Sequence, residues 1–414
     1  MAGLNETPSA NRIHIAFFGL RNAGKSTLVN VFTGQRIAIV SDVPGTTTDP
    51  VSKAMEILPL GPCVVTDTAG LDDVGELGGM RVRKTLDVLA TTDIAVWVFA
   101  TEDGADAEGR ERQAFLAECR RRNVTVLDYR RGDSVEGLKR RIAAVRIGDD
   151  TPGLLEGLAK RGDRVLCVCP IDESAPKGRL ILPQVQVIRE CLDIGAVATV
   201  CQPRDVREVL GAWHLVPGAL ERALVITDSQ AFGEVSRALA QFSQSPGNRT
   251  IEQSNNPNNS PVRLTSFSIL FARQKGYVKA YVEGLRGLRD LKDGDTVLIA
   301  EGCTHHRQCN DIGTVKIPKA ISKLTGRRIN FAFVSGGAFA IGPTPNPPSI
   351  EQSNNLNNLP ISRFSLVVQC GGCMLTRREV LRRIALAKEA GVPIVNYGMV
   401  LALAAGVDSE RCVM

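Results

Sequence analysis

Residues 13–33 read IHIAFFGLRNAGKSTLVNVFT, and this stretch decides the fold of the N-terminal part of the chain. An apolar run is followed by Gly19-Leu-Arg-Asn-Ala-Gly-Lys-Ser26, which fits the pattern G-x-x-x-x-G-K-S, and then by a helical pattern. A strand, a glycine-rich loop and a helix in this order are typical of a phosphate-binding loop. The stretch therefore predicts an α/β domain of the P-loop class with a mostly parallel sheet.

The loop residues are expected to bind a nucleotide and its metal ion. Backbone N–H groups of the loop and of the helix N-terminus surround the phosphates. Lys25 adds a positive charge beside the β- and γ-phosphates, and the Ser26 hydroxyl is a ligand of Mg²⁺. The residues predicted to bind the nucleotide here are Gly19, Asn22, Ala23, Gly24, Lys25, Ser26 and Thr27.

Two further motifs stand at suitable distances. Pro44-Gly-Thr-Thr-Thr48 is a candidate switch loop, in which Thr46, Thr47 or Thr48 completes the metal shell. Asp67-Thr-Ala-Gly70 follows the strand CVVT, so Asp67 is expected to hold Mg²⁺ through water, and the Gly70 N–H to bond the γ-phosphate. The whole set resembles the translation-factor-related GTPases, in particular the Era/TrmE-like branch.

That resemblance implies slow GTP hydrolysis stimulated by K⁺. Asn22, at the fourth position of the loop, is the residue that helps to hold K⁺ in the potassium-activated members. Leu71 follows the second motif where Ras-like proteins have a glutamine that positions water. Lys25, Asn22 and Thr48 are the catalytic residues that this resemblance implies.

One motif departs from the GTPase pattern. The guanine-reading Asn-Lys-x-Asp should follow the strand VTVL, but the sequence reads Asp128-Tyr-Arg-Arg131. Asp128 is kept as a candidate nucleotide contact, although the carboxylate that accepts from guanine N1–H and N2–H is missing. Asp133 could replace it after a small loop shift, or the site could be relaxed, and both interpretations stay open.

Composition and charge place the chain among globular proteins of two or three domains. Apolar residues make up 43% of the 414 residues and charged residues 23%. The net charge is +6, and the basic stretch from Arg120 to Arg141 is interpreted as a solvated helix face because no aromatic residues are interleaved with it. We therefore expect neither nucleic-acid nor membrane binding.

Eleven cysteines without a secretory signal favour a reducing compartment, so a cytoplasmic location is expected. Cys303-Thr-His305-His306 follows the apolar strand TVLIAEG, and Cys370-Gly-Gly-Cys373 follows SLVVQ. Loops at strand ends can converge, and three thiolates could hold a metal centre. On spacing alone, zinc and an iron–sulfur cluster both remain open.

Six collinear strings carry a closer resemblance. They are PIDESAPKGRLILPQVQVIRE from Pro170, LTSFSILFARQKG from Leu264, LIAEGCTHH from Leu298, DIGTVKIP from Asp311, CGGCM from Cys370 and VPIVNYG from Val392. The chain resembles the HydF family, the GTPase scaffolds of iron–iron hydrogenase maturation. The resemblance implies a homodimer that binds GTP, Mg²⁺, K⁺ and a 4Fe–4S cluster. It also implies that a diiron precursor, built by radical-SAM maturases, is delivered to the apo iron–iron hydrogenase.

Four segments follow from the patterns and from this resemblance. We predict a P-loop GTPase domain at 10–162, a small α/β dimerisation domain at 163–250 and an Asn-rich linker at 251–263. An α/β iron–sulfur cluster-binding domain follows at 264–414, with an Asn-rich insertion at about 343–361.

The cluster ligands implied by the resemblance are Cys303, His305, Cys370 and Cys373. The family's second histidine is replaced by Gln369, which puts ligation by that residue in doubt. The fourth iron site is left to His305, Glu301, water or the incoming diiron unit. Two other functions stay open: an Era/TrmE-like GTPase acting on RNA or the ribosome, and a degenerate scaffold without turnover.

Overall fold

The structure is a computed structural model. It describes residues 9–34, 50–71, 82, 85–99, 109–146, 151–171, 180–244, 262–302, 311–335, 360–407 and 412. The chain forms two compact units, Met1–Asp150 and Thr151–Met414.

Unit 1 contains a five-stranded sheet in the order β2-β3-β1-β4-β5. All neighbours are parallel except β2, which runs antiparallel to β3 at the edge. The predicted mostly parallel sheet is confirmed. The strands are β1 (Ile13–Phe18), β2 (Val51–Ile57), β3 (Gly61–Asp67), β4 (Ile94–Val98) and β5 (Thr125–Tyr129). The helices are α1 (Lys25–Thr33), α2 (Gly109–Arg121) and α3 (Val135–Ala143), and residues 85–91 are also helical.

The sheet of unit 1 is covered on both faces, which explains its apolar strands. Successive residues of a strand point to opposite faces. Phe17 packs against Phe32 of α1, with ring centroids 5.4 Å apart, whereas Phe18 packs against Phe115 of α2 at 5.0 Å. A sheet buried on both faces needs continuous apolar runs, and all five residues of β4 are buried.

Unit 2 contains two four-stranded parallel sheets. The first has the order β7-β6-β8-β9 and the second the order β11-β10-β12-β13. The strands are β6 (Arg164–Val168), β7 (Val197–Cys201), β8 (Ala223–Thr227), β9 (Arg263–Ser266), β10 (Thr296–Ala300), β11 (Asn330–Val334), β12 (Leu366–Gln369) and β13 (Ile394–Asn396). The helices are α4 (Leu182–Ile194), α5 (Val206–His214), α6 (Phe232–Gln244), α7 (Phe267–Lys275), α8 (Val278–Arg289), α9 (Ile317–Thr325), α10 (Arg377–Glu389) and α11 (Tyr397–Ala404).

Helix α7 packs on both sheets of unit 2. Phe267 and Phe271 lie in the core of the first sheet, and Ile269 and Ala272 lie in the core of the second. Strand β9, immediately before α7, pairs with β8 of the first sheet. The α/β class predicted for this half is confirmed, while the predicted domain boundaries stay a prediction. Among the described residues, no helix is long and apolar enough to span a membrane.

Candidate functional site

The loop of residues 19–26 joins β1 to α1 in unit 1, and its backbone requires specific residue types. Gly19 has φ 150°, and a Cβ there would collide with the Val98 carbonyl oxygen of β4. Gly24 has φ 85° and stands immediately before the helix. Asn22 has φ 61° and is exposed; asparagine tolerates this left-handed conformation better than most residues.

The two charged groups of the site lie within this loop and at the end of β3. Lys25 is 7% exposed, and its Nζ donates to the carbonyl oxygens of Gly19 at 3.2 Å and Leu20 at 2.7 Å. The Ser26 hydroxyl donates to Asp67 Oδ2 at 2.6 Å. The fold therefore brings the two predicted magnesium ligands into direct contact although they are far apart in the sequence.

Asp67 fits the predicted magnesium site. The residue is fully buried, and its Oδ1 has no hydrogen-bond partner in the described part of the chain. Burial raises the pKa of this carboxyl, and the Ser26 hydrogen bond and the Lys25 charge oppose that shift. A buried carboxylate oxygen without a partner is costly, so a hydrated Mg²⁺ at this edge would satisfy it.

The structure also describes most of the other residues predicted to bind the nucleotide. Ala23 is buried, Thr27 is exposed, and Gly70 is buried beside the loop, where the Leu71 N–H donates to Gly19 O at 3.4 Å. Asp128 lies at the carboxyl end of β5 and is paired with Arg112. Thr46, Thr47 and Thr48 lie outside the described residues.

The cysteine site lies at the carboxyl edge of the second sheet in unit 2. Ala300 of β10 and Asn396 of β13 are both in register with Gln369 of β12. The Cys370 N–H donates to Ala300 O at 3.0 Å, and the Gly302 N–H donates to the Cys370 sulfur at 3.0 Å. The loop that leads to Cys303 therefore contacts Cys370 directly, while Cys303 and His305 themselves lie outside the described residues.

The turn Cys370–Cys373 has no room for side chains between its thiols. A Cβ at Gly371 would lie 3.0 Å from Ser268 Cα, and Gly372 has φ 69°. The N–H groups of Gly372 and Gly302 stabilise the thiolate form of Cys370. Glycines in this turn thus allow the backbone to approach the sulfurs closely, as a metal cluster requires.

Sequence reasoning missed a buried lysine that holds this turn. Lys275, the last residue of α7, is 3% exposed. Its Nζ donates to the carbonyl oxygens of Gly372 at 3.2 Å, Cys373 at 3.2 Å and Leu375 at 2.7 Å. Burial lowers the pKa of this lysine to about 8. Nothing in the local pattern distinguishes Lys275 from an ordinary basic residue at a helix C-terminus.

A second buried cation lies near the thiols. Arg383 of α10 is 0% exposed, and its Nε donates to Glu379 Oε1 at 2.8 Å. Its charge opposes the rise in the pKa of Cys370 that burial causes, while the charge of Glu301 adds to that rise. Lys275 and Arg383 are thus two buried cations near the cysteines, and Arg383 is already paired with the carboxylate of Glu379.

Burial of both thiols favours their protonated form. Burial raises the pKa of Cys370. The pKa of Cys373 is raised to about 11, mainly by burial and to a smaller extent by the charge of Cys370. Metal binding would therefore release protons. Cysteines away from this turn are small core residues: Cys63, Cys119, Cys167, Cys169 and Cys191 are buried, and Cys201 is partly buried.

Gln369 is turned into the core. It is 1% exposed, and its Nε2 donates to the Tyr281 hydroxyl at 3.4 Å. Its Oε1 has no hydrogen-bond partner among the residues that the structure describes. Within the same residues, no group of three or more His, Cys, Asp or Glu side chains could hold a metal ion. The described part of the site supplies two thiols, Cys370 and Cys373, in one glycine-containing turn.

Sequence models of known families match three consecutive parts of the chain. The model described as 50S ribosome-binding GTPase matches residues 14–128. The hydrogen maturase F dimerization domain matches residues 154–276, and the hydrogen maturase F tetramerization domain matches residues 279–413. The two hydrogen maturase F models together span more than half of the chain.

Individual relatives resemble only part of the chain. The tRNA modification GTPase MnmE of Endomicrobium trichonymphae is 34% identical over 106 residues, which are 25% of this chain and 23% of that protein. MnmE of Acidiphilium cryptum is 43% identical over 83 residues, 19% of each chain. GTPase Der of Campylobacter hominis is 39% identical over 84 residues, 20% of this chain and 18% of that protein. The chain thus spans about a quarter or less of the length of these relatives.

Two of the solved structures that resemble the chain hold GDP and AlF4⁻. Aquifex aeolicus Era bound to GDP and AlF4⁻ is 15% identical, with a TM-score of 0.25, and the match covers 84% of this chain and 94% of Era. S. thermophilus NFeoB bound to GDP and AlF4⁻ is 17% identical, with a TM-score of 0.22, and the match covers 57% and 86%. TM-scores of this size establish no common architecture by themselves.

Proposed function

Because the chain belongs to the hydrogen maturase F family, and is thus a hydrogenase maturation GTPase, we propose that it is a cluster-binding scaffold and carrier. In this proposal the chain binds a 4Fe–4S cluster and delivers a diiron precursor to the apo iron–iron hydrogenase. The observation that carries it is the contact between the Gly302 N–H and the Cys370 sulfur, which joins the two cysteine loops at one sheet edge.

The nucleotide is held by unit 1. Lys25 and the loop N–H groups bind the phosphates, and Ser26 and Asp67 hold Mg²⁺, with Thr46, Thr47 or Thr48 completing its shell. This assignment is supported by the buried Oδ1 of Asp67, which has no hydrogen-bond partner among the residues that the structure describes. Binding and hydrolysis of GTP alter domain contacts or partner release, and the radical-SAM maturases perform the chemistry on the precursor.

K⁺ stimulation is part of this proposal and depends on Asn22. We expect a hydrolysis rate that is several times higher in KCl than in NaCl at equal ionic strength, measured as phosphate release. Asn22→Gly is the matched variant, since glycine adopts the positive φ of this position without strain and only the amide is removed. Its rate should be the same in both salts. Equal rates for the unmodified chain would contradict the role of Asn22.

The cluster is held by unit 2. Cys303, Cys370 and Cys373 supply thiolates, and the fourth iron site is open to His305, Glu301, water or the diiron unit. When bound, the cluster supplies an anchoring point for that unit. Lys275 and Arg383 offset the negative charge of the thiolates, and Lys275 keeps the Cys370–Cys373 turn in place. Gln369 is hydrogen-bonded to Tyr281 inside the core, so it is not assigned as a ligand.

A homodimer is proposed for unit 2, consistent with the family's dimerization model. Strand β7 is an edge strand of the first sheet, and its Val197 and Val200 are 49% and 46% exposed. Exposed apolar residues on an unpaired edge favour pairing with a second copy. The partners proposed beyond this are the apo hydrogenase and the radical-SAM maturases, in the cytoplasm.

Delivery is tested directly with an apo iron–iron hydrogenase that lacks its diiron unit. Chain isolated from cells that express the radical-SAM maturases should restore hydrogen production, whereas chain isolated without them should not. No restoration by the first preparation would refute the carrier role, even if the chain hydrolyses GTP.

The alternative function, a GTPase acting on RNA or the ribosome, has support only from unit 1. MnmE relatives are tRNA modification GTPases, but their alignments span at most about a third of this chain. Salt-sensitive association with tRNA or ribosomes in a filter-binding assay would favour this alternative.

A further inference from the structure

The base of a bound nucleotide should lie at the carboxyl ends of β4 and β5. Strand β4 pairs with β1, which leads into the phosphate loop, and with β5, and all three strands are parallel. Ligands of such sheets bind at the carboxyl ends of the strands. In GTPases the carboxylate of Asn-Lys-x-Asp reads guanine here, and Arg131 stands at its position.

Asp128, at the end of β5, is engaged elsewhere. Both of its carboxylate oxygens accept from Arg112 Nη2 of α2, at 2.9 and 2.7 Å. The Asp128 side chain is 39% exposed and the Arg112 side chain 28%, so this ion pair is partly accessible to solvent. A carboxylate that already accepts two hydrogen bonds from a guanidinium is not poised to accept from guanine N1–H and N2–H.

Asp133 is also engaged, because it closes the turn that follows β5. Its Oδ2 accepts from the Arg130 N–H at 2.8 Å, and its own N–H donates to Arg130 O at 3.0 Å. The Tyr129 hydroxyl donates to Asp133 O at 2.9 Å. Using Asp133 to read guanine would require this turn to open, so the small loop shift that the sequence allowed has no support in the structure.

The other groups at this edge are flat and not specific for one base. The guanidinium carbons of Arg112 and Arg130 lie 5.3 and 5.1 Å from the centroid of the Phe99 ring. Phe99 itself is buried, so the guanidinium planes are the groups here that could stack on a base, and they stack on any base because every base has a π face. The described residues thus offer stacking surfaces but no carboxylate aimed at a guanine edge.

We propose that this site selects the phosphates and Mg²⁺ but not the base, so that it binds guanine and adenine nucleotides with similar affinity. This inference rests on the nucleotide-binding part of the proposed function. Sites built to hydrogen-bond one group can reject an analogue by roughly 10⁴-fold or more, and a site without those partners cannot.

The test is a titration of the full chain with fluorescent GDP and ADP in the presence of Mg²⁺, repeated as competition with the unlabelled nucleotides. We expect dissociation constants within about tenfold of each other, since the phosphate contacts are common to both. A larger preference for GDP would overturn the inference. Lys25→Ala is the control for binding at the phosphate loop and should weaken both nucleotides together.

A second experiment tests whether selectivity for guanine over adenine can be introduced by substitution. Replacing Asp128→Asn, Tyr129→Lys and Arg131→Asp together rebuilds the guanine-reading motif, and we expect this variant to prefer GDP over ADP by at least about tenfold. Arg141→Asp, at an exposed arginine of α3, repeats the arginine-to-aspartate change of position 131 away from the edge and should leave the ratio unchanged. No gain in the rebuilt variant would show that the base does not lie at this edge, and would overturn the inference.

The same titration distinguishes a failure of this inference from a failure of the proposed function. Binding of neither nucleotide would refute the nucleotide site as well as this inference. A strong preference for GDP would refute the inference alone and leave the GTPase assignment intact.

Discussion

The Cys370→Ser variant should show no 4Fe–4S signal after anaerobic reconstitution with iron and sulfide, whereas the unmodified chain should show one by EPR and visible spectroscopy. Cys370 contacts the loop that leads to Cys303, since its sulfur accepts from the Gly302 N–H and its own N–H donates to Ala300 O of β10. A serine oxygen is a harder and weaker ligand for iron in a cluster, and two thiolates alone do not hold one.

Cys201→Ser is the matched control, because Cys201 is also partly buried but lies at the end of β7. It should bind as much iron and sulfide per chain as the unmodified protein. Retention of the cluster by Cys370→Ser would show that this thiol is not a ligand. Absence of a cluster from both the unmodified chain and the variant would leave a GTPase whose C-terminal half lacks the scaffold role.

Gly284→Ala should destabilise unit 2 by roughly 3 kcal/mol, at or above the upper end of the usual cost of overpacking. Gly284 lies in α8, directly over β13, and an added Cβ would collide with the Ile394 carbonyl oxygen and lie 3.0 Å from Val395 N. Both obstacles are backbone atoms of the buried strand β13, so they cannot move aside as a flexible side chain would. Hydrogen exchange in urea, followed by mass spectrometry, measures this loss for peptides of α8 while peptides of unit 1 report separately.

Gly211→Ala is the control for helix propensity. Gly211 lies in α5, and a Cβ there would meet no atom within 4 Å. Alanine should therefore stabilise this helix, by about 0.5–1 kcal/mol. If Gly284→Ala had the same small favourable effect, the close contact of α8 with β13 would be refuted.

Local patterns were sufficient for the phosphate loop and for the class of fold. The run from Ile13 to Thr33 contains the strand, the loop and the helix in order, and glycines stand where the backbone needs positive φ. The pairing of Asp67 with Ser26 could also be expected, because Asp67 ends a recognisable strand and Ser26 lies in the first turn of a recognisable helix. The loop is predictable because its residue types are required by neighbours in the sequence, and the pairing is predictable because the two motifs recur together around a bound phosphate and Mg²⁺.

For the cysteine turn, the sequence predicted the approach of two loops but not the full set of contacts. Two strand-end motifs predicted that Cys303 and Cys370 converge, and the structure brings Gly302 to the Cys370 sulfur. Ligation by Cys303 and His305 stays a prediction, because those residues lie outside the described part of the chain.

The surroundings of both sites were decided only by the tertiary structure. The partners of Lys275 lie 97 to 100 residues away in the sequence, Gln369 meets Tyr281 across 88 residues, and Asp128 meets Arg112 of another element. The sequence by itself determined the phosphate loop, the two cysteine loops and the alternation of strands and helices. The sequence did not show which buried charged side chain pairs with which distant carbonyl group. Burial and pairing depend on how separate elements pack, and the spacing of residues within one element does not report on that packing.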